Sequence, residues 1–198
     1  MGSVEKQNPS TPLSSGRDDN FYEWVAVGDT IRMTELVRIS SKLTAEYKAV
    51  RLRALQDMPV AFGSRYEREA RLTDEEWTAR AARCSGGRDV GFLARCDGEY
   101  AGLALCFVEE EDAGVGQLIS MWVAPEARRS GVGRMLIDAI VAWAAVERRL
   151  RTIKLMVTSV NGGAMEFYRR LGFERTGRME PYPNDPAVVE YEMVRVVG

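Results

Sequence analysis

The segment that most constrains the fold is EARRSGVGRMLIDAIVAWAA, residues 126–145, which joins a glycine-rich turn to a long apolar helix pattern. The preceding LISMWV is typical of a buried strand, so the sequence predicts a strand, a turn and a helix in succession. Gly131 and Gly133 let the backbone of the turn approach a ligand closely. Unpaired amides at the start of a helix bind anions. Three arginines could neutralise such an anion: Arg128, Arg129 and Arg134. The turn is therefore predicted to bind phosphate.

Two common phosphate-binding motifs are absent. The P-loop pattern G-x-x-x-x-G-K-[ST] does not occur in the sequence. The dinucleotide-binding fingerprint requires a third glycine at position 136, where the chain has Leu136, and it follows the first strand of an open sheet. A G-x-G on its own is equally typical of an ordinary turn, and Arg129 on its own is equally typical of a solvated surface. Further motifs elsewhere in the sequence are therefore needed to distinguish a ligand-binding turn from an ordinary one.

Composition excludes several kinds of chemistry. The chain has 198 residues and a net charge of -2, so no general basic surface predicts a nucleic-acid partner. It has no histidine, which excludes Ser-His-Asp triads, Cys-His pairs and histidine metal sites. Three cysteines without C-x-x-C spacing predict neither disulfides nor zinc and are consistent with a reducing cytosol. The longest apolar run is interrupted by Asp138 and is too short to span a membrane. We therefore expect a cytoplasmic protein with no metal, no membrane partner and no nucleic-acid partner.

Hydrophobic patterning predicts one mixed α/β domain over residues 21–198, preceded by a disordered tail over residues 1–20. A strand is expected at 24–32 or at 34–40, and a hairpin at 90–110 that turns at Asp97-Gly98. Residues 179–186 are interpreted as a surface loop because prolines interrupt them. Further strands are predicted at 116–125, 152–160 and 187–197. Helices are predicted at 44–56, 73–83, 134–149 and 163–172.

Two motifs at a characteristic separation resemble those of one family. Arg128-x-x-Gly131-x-Gly133 resembles the R/Q-x-x-G-x-G/A signature of the GNAT superfamily of acyl-CoA N-acyltransferases. Asn161 followed by A-x-x-F-Y-x-x-L-G-F resembles the second conserved segment of that superfamily. The resemblance extends over residues 32–196. It implies a GNAT fold with a central, mixed but mostly antiparallel seven-stranded sheet flanked by about four helices.

The resemblance also implies a function, a cofactor and a site. The function is transfer of an acetyl group from acetyl-CoA, as co-substrate, to a primary amine in a ternary complex. The motifs do not specify the acceptor, and a small molecule is favoured because the sequence shows no second module that would recruit a protein. Two parallel strands would separate to admit the pantetheine arm, which would pair with the backbone of Met121, Trp122 and Val123. Asn161 would bind the pantetheine or orient its loop, although it could also simply cap the following helix. The pyrophosphate would be held by Arg128, Arg129, Ser130, Gly131, Val132, Gly133 and Arg134.

Tyr168 is the predicted catalytic residue in this resemblance. It would act as a general acid that protonates the departing thiolate, a role that a phenol can fill where histidine is absent. Many family members carry a glutamate as general base where this chain has Gln117. The base therefore stays unassigned among Glu109, Glu110, Glu111 and Glu190, and an acceptor amine of low pKa would need none.

Three alternatives remain open at this stage. The acceptor could be a protein α-amine or lysine instead of a small molecule. The domain could bind acyl-CoA without catalysis, which the loss of a carboxylate at Gln117 favours and the presence of Tyr168 opposes. A nucleotide-binding protein unrelated to acyl transfer is the third. A homodimer is also left open.

Overall fold

The structure is a computed structural model that describes residues 20–27 and 30–197. Its nine strands form one sheet in the order β1-β2-β4-β5-β6-β7-β9-β8, and the two-residue β3 pairs with β4. The strands are β1 (Asn20–Val27), β2 (Thr30–Arg38), β3 (Ser85–Gly86), β4 (Asp89–Cys96), β5 (Glu99–Val108), β6 (Val115–Val123), β7 (Thr152–Thr158), β8 (Glu174–Tyr182) and β9 (Asp185–Val196). The helices are α1 (Thr44–Asp57), α2 (Tyr66–Glu69), α3 (Asp74–Arg83), α4 (Val132–Trp143) and α5 (Gly162–Arg170).

This architecture confirms the predicted fold class. The seven expected strands are β2 and β4 to β9, and every pair among them is antiparallel except β6 with β7. β1 and β3 extend that sheet. The predicted disordered tail lies outside the described residues, apart from Asn20, which begins β1.

Local sequence signals explain the well-predicted elements. α3 starts with a capping box, in which the Thr73 side chain accepts from the Glu76 amide and the Glu76 carboxylate accepts from the Thr73 amide. Asp97 and Gly98 both have positive φ, at 50° and 91°, which confirms the predicted turn between β4 and β5.

The sheet is covered by helices on both faces. Gly102 lets α4 approach closely, because a Cβ there would lie 3.1 Å from the Leu136 side chain. A Cβ at Gly91, on the opposite face, would lie 2.8 Å from Ile39 and 3.1 Å from Cys84. Since successive residues of a strand face opposite sides, α1 and α3 cover the face that carries Leu105. The core therefore consists of two layers, one on each side of β4, β5 and β6.

Three sequence predictions are wrong in detail. The proposed strand at 24–32 runs across the connection between β1 and β2, where the sequence contains the turn pair Gly28-Asp29. The helix predicted at 134–149 begins at Val132, and a π-helical turn replaces its end over Ala144–Arg148. The loop proposed for 179–186 is a turn only at residues 183–184, and the rest of it is the end of β8 and the start of β9.

β8 was missed because its side chains give no alternating pattern. All of its residues except Tyr182 are exposed, and it forms the edge of the sheet beside β9. Pro181 is tolerated in this strand because an edge strand has one side free of ladder hydrogen bonds.

Candidate active site

The central feature of the site is the separation of β6 and β7. These parallel strands pair at only three positions, Val115 with Thr152, Gly116 with Ile153 and Gln117 with Lys154, and then diverge. The backbone of β6 beyond Gln117 therefore has no ladder partner on the β7 side. A cavity of about 330 Å³ lies there. It is lined by Arg51, Ala61, Phe62, Gly63, Gln117, Leu118, Ile119, Ser120, Met121, Leu155, Met156, Val157, Thr158, Asn161, Ala164, Tyr168 and Glu190.

A bulge in β6 shapes one wall of the cavity. Ile119 pairs with Leu105 and Trp122 with Leu103, so Ser120 and Met121 together face one residue of β5. Ser120 has a positive φ of 56°, which is uncommon for a residue with a side chain. Its hydroxyl lies 3.2 Å from the Arg51 guanidinium, which donates to it. The bulge is thereby tied to α1.

The predicted anion-binding turn lies at the start of α4. Gly131 is the N-cap residue, with φ of 93°, and Arg129 also has a positive φ of 63°. No side chain caps the first turn of α4, so its leading amides are available to a ligand. Buried Ser130 donates its hydroxyl to the carbonyl of Ala127 at 2.6 Å, which closes the preceding turn. Val132 is buried in the core.

The three arginines of the turn have different surroundings. Arg128 forms an ion pair with Asp57 of α1, and its Nε donates to the carbonyl of Val123 at 3.0 Å. Arg134 lies 3.3 Å from Asp138, one helical turn further along α4. Arg129 is exposed beside the start of the helix. Arg128 therefore links the turn to α1 and β6, which sequence reasoning did not foresee.

Gly133 has a packing role in addition to the one predicted. A Cβ at this position would lie 3.1 Å from Cζ of Phe167 and 3.3 Å from Cε of Met121. These distances are tighter than ordinary van der Waals contact, so a side chain here would displace Phe167 or Met121. The first turn of α4 is thus packed directly against α5 and the cavity-lining Met121.

The predicted pantetheine-binding strand is only partly exposed to the cavity. Met121 lines it, whereas Trp122 is buried on the other side of the strand and Val123 is half-buried. The Trp122 indole donates to Asp57 at 2.8 Å, so Asp57 receives hydrogen bonds from both Trp122 and Arg128. The Trp122 side chain belongs to the core, and any contribution to a ligand comes from its backbone.

Tyr168 is buried and lines the cavity. Its ring contacts Phe167 and Phe173, with centroids 5.4 and 5.7 Å away. Its hydroxyl has no hydrogen-bond partner within the part of the chain that the structure describes. Burial raises the pKa of Tyr168 well above the ordinary value of a phenol, because desolvation penalises the phenolate. Tyr168 is therefore held in its protonated, proton-donating form.

Asn161 and Glu190 complete the polar lining. Asn161 caps α5, since its side-chain oxygen accepts from the Ala164 amide at 3.2 Å, and it also lines the cavity. Glu190 is the one carboxylate among the lining residues named above, while Gln117 is there as an uncharged amide. Glu109 forms an ion pair with Lys154 instead. Burial, and then the charge of Glu180, raise the pKa of Glu190 above its ordinary value.

Sequence reasoning missed Arg51 and Glu69. Both are buried, and two hydrogen bonds of 2.8 and 3.0 Å join them. Burial alone would raise the pKa of Glu69, but the hydrogen bonds and charge of Arg51 bring it below its ordinary value. A signal was present in the sequence: Arg51 lies four residues from both Tyr47 and Leu55 in an otherwise apolar stripe of α1.

A second cavity of about 760 Å³ lies on the face covered by α1 and α3. It shares Arg51, Ile119 and Ser120 with the first cavity, so both reach the bulge in β6. Arginines and carboxylates both line it. Within the described ranges, no cluster of potential ligands could hold a metal ion, and no helix is long and apolar enough to cross a membrane.

Comparison with solved structures identifies the fold, which this chain shares with known acetyltransferases. An acetyltransferase of the GNAT family from Streptococcus pneumoniae superimposes with a TM-score of 0.70 at 20% identity, over 83% of this chain and 99% of that one. Spermidine N-acetyltransferase from Vibrio cholerae, solved with CoA and spermine, gives a TM-score of 0.67 at 14% identity, over 83% and 95% of the two chains. At these identities the likeness shows the fold.

The sequence identifies the family. The sequence model of the acetyltransferase (GNAT) family matches residues 52–173, and the chain belongs to that family. An uncharacterized N-acetyltransferase of Methanocaldococcus jannaschii is 36% identical over 88 residues, which are 44% of this chain and 35% of that protein. Mycothiol acetyltransferase of Tsukamurella paurometabola is 33% identical over 86 residues, 43% and 29% of the two chains. The chain thus spans about a third of the length of these relatives.

Proposed function

We propose that the protein is an N-acetyltransferase that uses acetyl-CoA to acetylate a primary amine of a small molecule, with both substrates bound together. The observation that carries this proposal is the divergence of β6 and β7 around a 330 Å³ cavity, beside the uncapped start of α4. A flexible arm ending in a thioester fits such a cleft, and its phosphates fit the helix start.

The described residues suit acetyl-CoA in three ways. The amides following Gly131 and the exposed Arg129 would hold the pyrophosphate, with Arg128 fixing the turn in place. Met121 and its neighbours in β6 have unpaired backbone that could hydrogen-bond the pantetheine like an added strand. Asn161, already positioned by its cap to α5, would contact the same arm.

The thioester supplies the acetyl group, and Tyr168 supplies the proton that the departing sulfur needs. The same burial that raises the pKa of Tyr168 would raise that of a thiol formed beside it, because both anions lose hydration. The buried thiols of this protein illustrate the effect, since burial raises the pKa of Cys84 to about 12. A thiolate formed in the cavity is therefore more basic than a thiolate in water, which favours its protonation by a neighbouring acid such as Tyr168.

A small acceptor is favoured by the available space. The second cavity of about 760 Å³ reaches the bulge at Ser120 from the α1 and α3 face, and its volume is typical of pockets for small molecules. The named relatives include a mycothiol acetyltransferase and a spermidine N-acetyltransferase. We also propose that the protein acts in the cytoplasm, since Cys84, Cys96 and Cys106 are all free.

Calorimetric titration with acetyl-CoA tests the cofactor, with Gly131→Asp and Gly131→Asn as a matched pair. Asn and Asp both tolerate the left-handed backbone conformation that position 131 adopts. The two variants therefore differ mainly in the negative charge that Asp places beside the phosphates. We expect the wild type and Gly131→Asn to bind and Gly131→Asp to bind far more weakly. No binding by the wild type would rule out the acyl-CoA proposal.

Turnover separates the proposed enzyme from a domain that only binds acyl-CoA. Thiol release from acetyl-CoA should appear with small primary amines and should exceed the rate with peptides bearing a free α-amine or lysine. Acetyl-CoA binding without release in the presence of any amine would support the non-catalytic alternative, which Gln117 favours.

A further inference from the structure

We propose that Glu190 is the general base that removes a proton from the acceptor amine. This assignment rests on the acetyl transfer proposed above and names the group that its mechanism lacks, since Gln117 cannot accept a proton.

Strand register places Glu190 in the cavity. It pairs with Thr158 at the end of β7 on one side and with Glu180 of β8 on the other. Thr158 and Glu190 line the same cavity as Tyr168, the proposed acid. The β7 strand that diverges from β6 thus brings Glu190 to the cleft where the thioester would lie.

Among the described residues that line the first cavity, Glu190 is the one carboxylate, and no cation is paired with it. Glu69 is bound by Arg51, Glu109 by Lys154, and Glu180 by Arg178. Glu192, two residues along β9, accepts from Thr176 and lies 3.7 Å from Arg178. Glu190 forms no ion pair or hydrogen bond through its side chain within the described part of the chain. An incoming ammonium group would therefore find an uncompensated negative charge in the cavity.

The surroundings of Glu190 also suit proton transfer. Burial is the main cause of its raised pKa, and the negative charge of Glu180 is the second. The nearby cations are already paired: Arg178 with Glu180 and Glu192, and the cavity-lining Arg51 with Glu69. A carboxylate with a raised pKa is a stronger base than one in water, which suits it to accept a proton from an ammonium group.

The proton balance is complete with the groups in the cavity. Glu190 takes one proton from the ammonium form of the acceptor, and the free amine attacks the thioester carbonyl, forming the C–N bond. The C–S bond then breaks, and Tyr168 gives its proton to the sulfur. The nitrogen then gives its second proton to the Tyr168 phenolate, which restores the phenol. Glu190 releases its proton to solvent. The products are the acetamide, the free thiol and one proton.

The test uses three substitutions of the same kind in the full chain. Glu190→Gln removes the base while keeping its size. Glu192→Gln is the matched control on the same strand, outside the cavity. Glu180→Gln leaves Glu190 in place but removes the negative charge that is the second cause of its raised pKa, after burial. Acetyl-CoA affinity is measured for each variant together with the pH dependence of kcat, using one amine throughout so that its own ionisation is common to all.

We expect Glu190→Gln to lower kcat by about 100-fold or more and to leave the affinity for acetyl-CoA unchanged. In the pH profile of kcat, the acidic limb (the fall of kcat toward low pH) should lose the part that is due to the enzyme and keep the part that is due to the amine. Glu180→Gln should shift that limb to lower pH, and Glu192→Gln should leave kcat and the limb unchanged. A Glu190→Gln variant that retains the wild-type kcat and limb would overturn the assignment, as would an unmoved limb in Glu180→Gln. An inactive wild type would instead contradict the proposed function itself.

Discussion

At the scale of single residues, two buried tyrosines serve different purposes. The Tyr168 hydroxyl has no partner among the described residues, whereas the Tyr182 hydroxyl donates to the carbonyl of Phe62 at 2.8 Å and lies 3.0 Å from that of Pro59. Tyr182 therefore fixes the segment after α1 that supplies Phe62 to the cavity. One hydroxyl is available for chemistry, and the other is used for structure.

Tyr168→Phe should lower kcat by about 100-fold or more while leaving the free energy of unfolding nearly unchanged. The ring contacts with Phe167 and Phe173 remain, and no hydrogen bond to another side chain is lost. Steady-state kinetics and urea unfolding on the same preparation check both parts. Unchanged kcat in Tyr168→Phe would remove this residue from the mechanism.

Tyr182→Phe should show the converse, a loss of about 1–3 kcal/mol in stability, because the buried carbonyl of Phe62 and the part-buried carbonyl of Pro59 lose a donor. Urea unfolding measures this loss directly. A variant as stable as the wild type would mean that Asn184, which also donates to the Phe62 carbonyl, satisfies these groups without Tyr182.

Glu190→Gln should also change stability in a pH-dependent way. The folded-state pKa of Glu190 is raised, so the native state binds its proton more tightly than the unfolded state. The contribution of Glu190 is therefore most favourable at low pH and decreases as the pH rises through the raised pKa. Thermal melts should show Glu190→Gln gaining stability relative to wild type across that window. A constant difference from acid to neutral pH would contradict the raised pKa.

At the scale of elements, a buried ion pair connects α1 with α2. Arg51 and Glu69 are both buried, and Arg51 also stacks on Phe62, 4.6 Å from its ring centroid. Arg51→Met should cost about 3–5 kcal/mol, because Glu69 is left buried without its main partner. Chemical denaturation of Arg51→Met measures this cost. Lys48→Met, in the same helix, is the control and should change stability little, because the partner of half-buried Lys48 is the exposed carboxylate of Asp74.

Replacing both partners tests the cause of that loss. A double variant, Arg51→Met with Glu69→Leu, should recover much of the stability because no uncompensated charge remains. If the double variant is as unstable as Arg51→Met, the loss comes from the packing of the Arg51 side chain and not from the orphaned carboxylate.

Elements with a local signature were predictable from the sequence. α3 has its capping box, β4 and β5 their Asp97-Gly98 turn, and α5 its Asn161 cap. β8 was not predictable because an exposed edge strand need not alternate. For the site, Met121, Asn161 and Tyr168 were predicted and do line one cavity. The selection of Glu190 and the pairing of Arg128 with Asp57 depend on strand register and tertiary contacts, which local patterns do not encode.

At the scale of the whole molecule, the two parts of the sheet are joined only by the three residue pairs between the parallel strands β6 and β7. β1 to β6 lie on one side of this junction, and β7, β9 and β8 lie on the other. β7 and β9, by contrast, pair over their whole shared length, from Thr152 to Thr158. The junction between β6 and β7 is therefore the part of the sheet with the fewest backbone contacts per strand length. A ligand that fills the cleft would connect the two parts of the sheet.

Acetyl-CoA should consequently stabilise the whole protein and protect this junction most. At about 100 times its Kd, a ligand that binds only the native state adds about 2.7 kcal/mol, which raises the Tm of a chain of this size by about 5–10 °C. Hydrogen exchange should slow chiefly at the start of α4 and for those amides of β6 beyond Gln117 that point toward β7, since these donors have no ladder or helix partner. Gly131→Asp should lose the rise in Tm and the added protection, and Gly131→Asn should keep both. Protection that appears elsewhere, with these amides unchanged, would place the ligand outside the cleft.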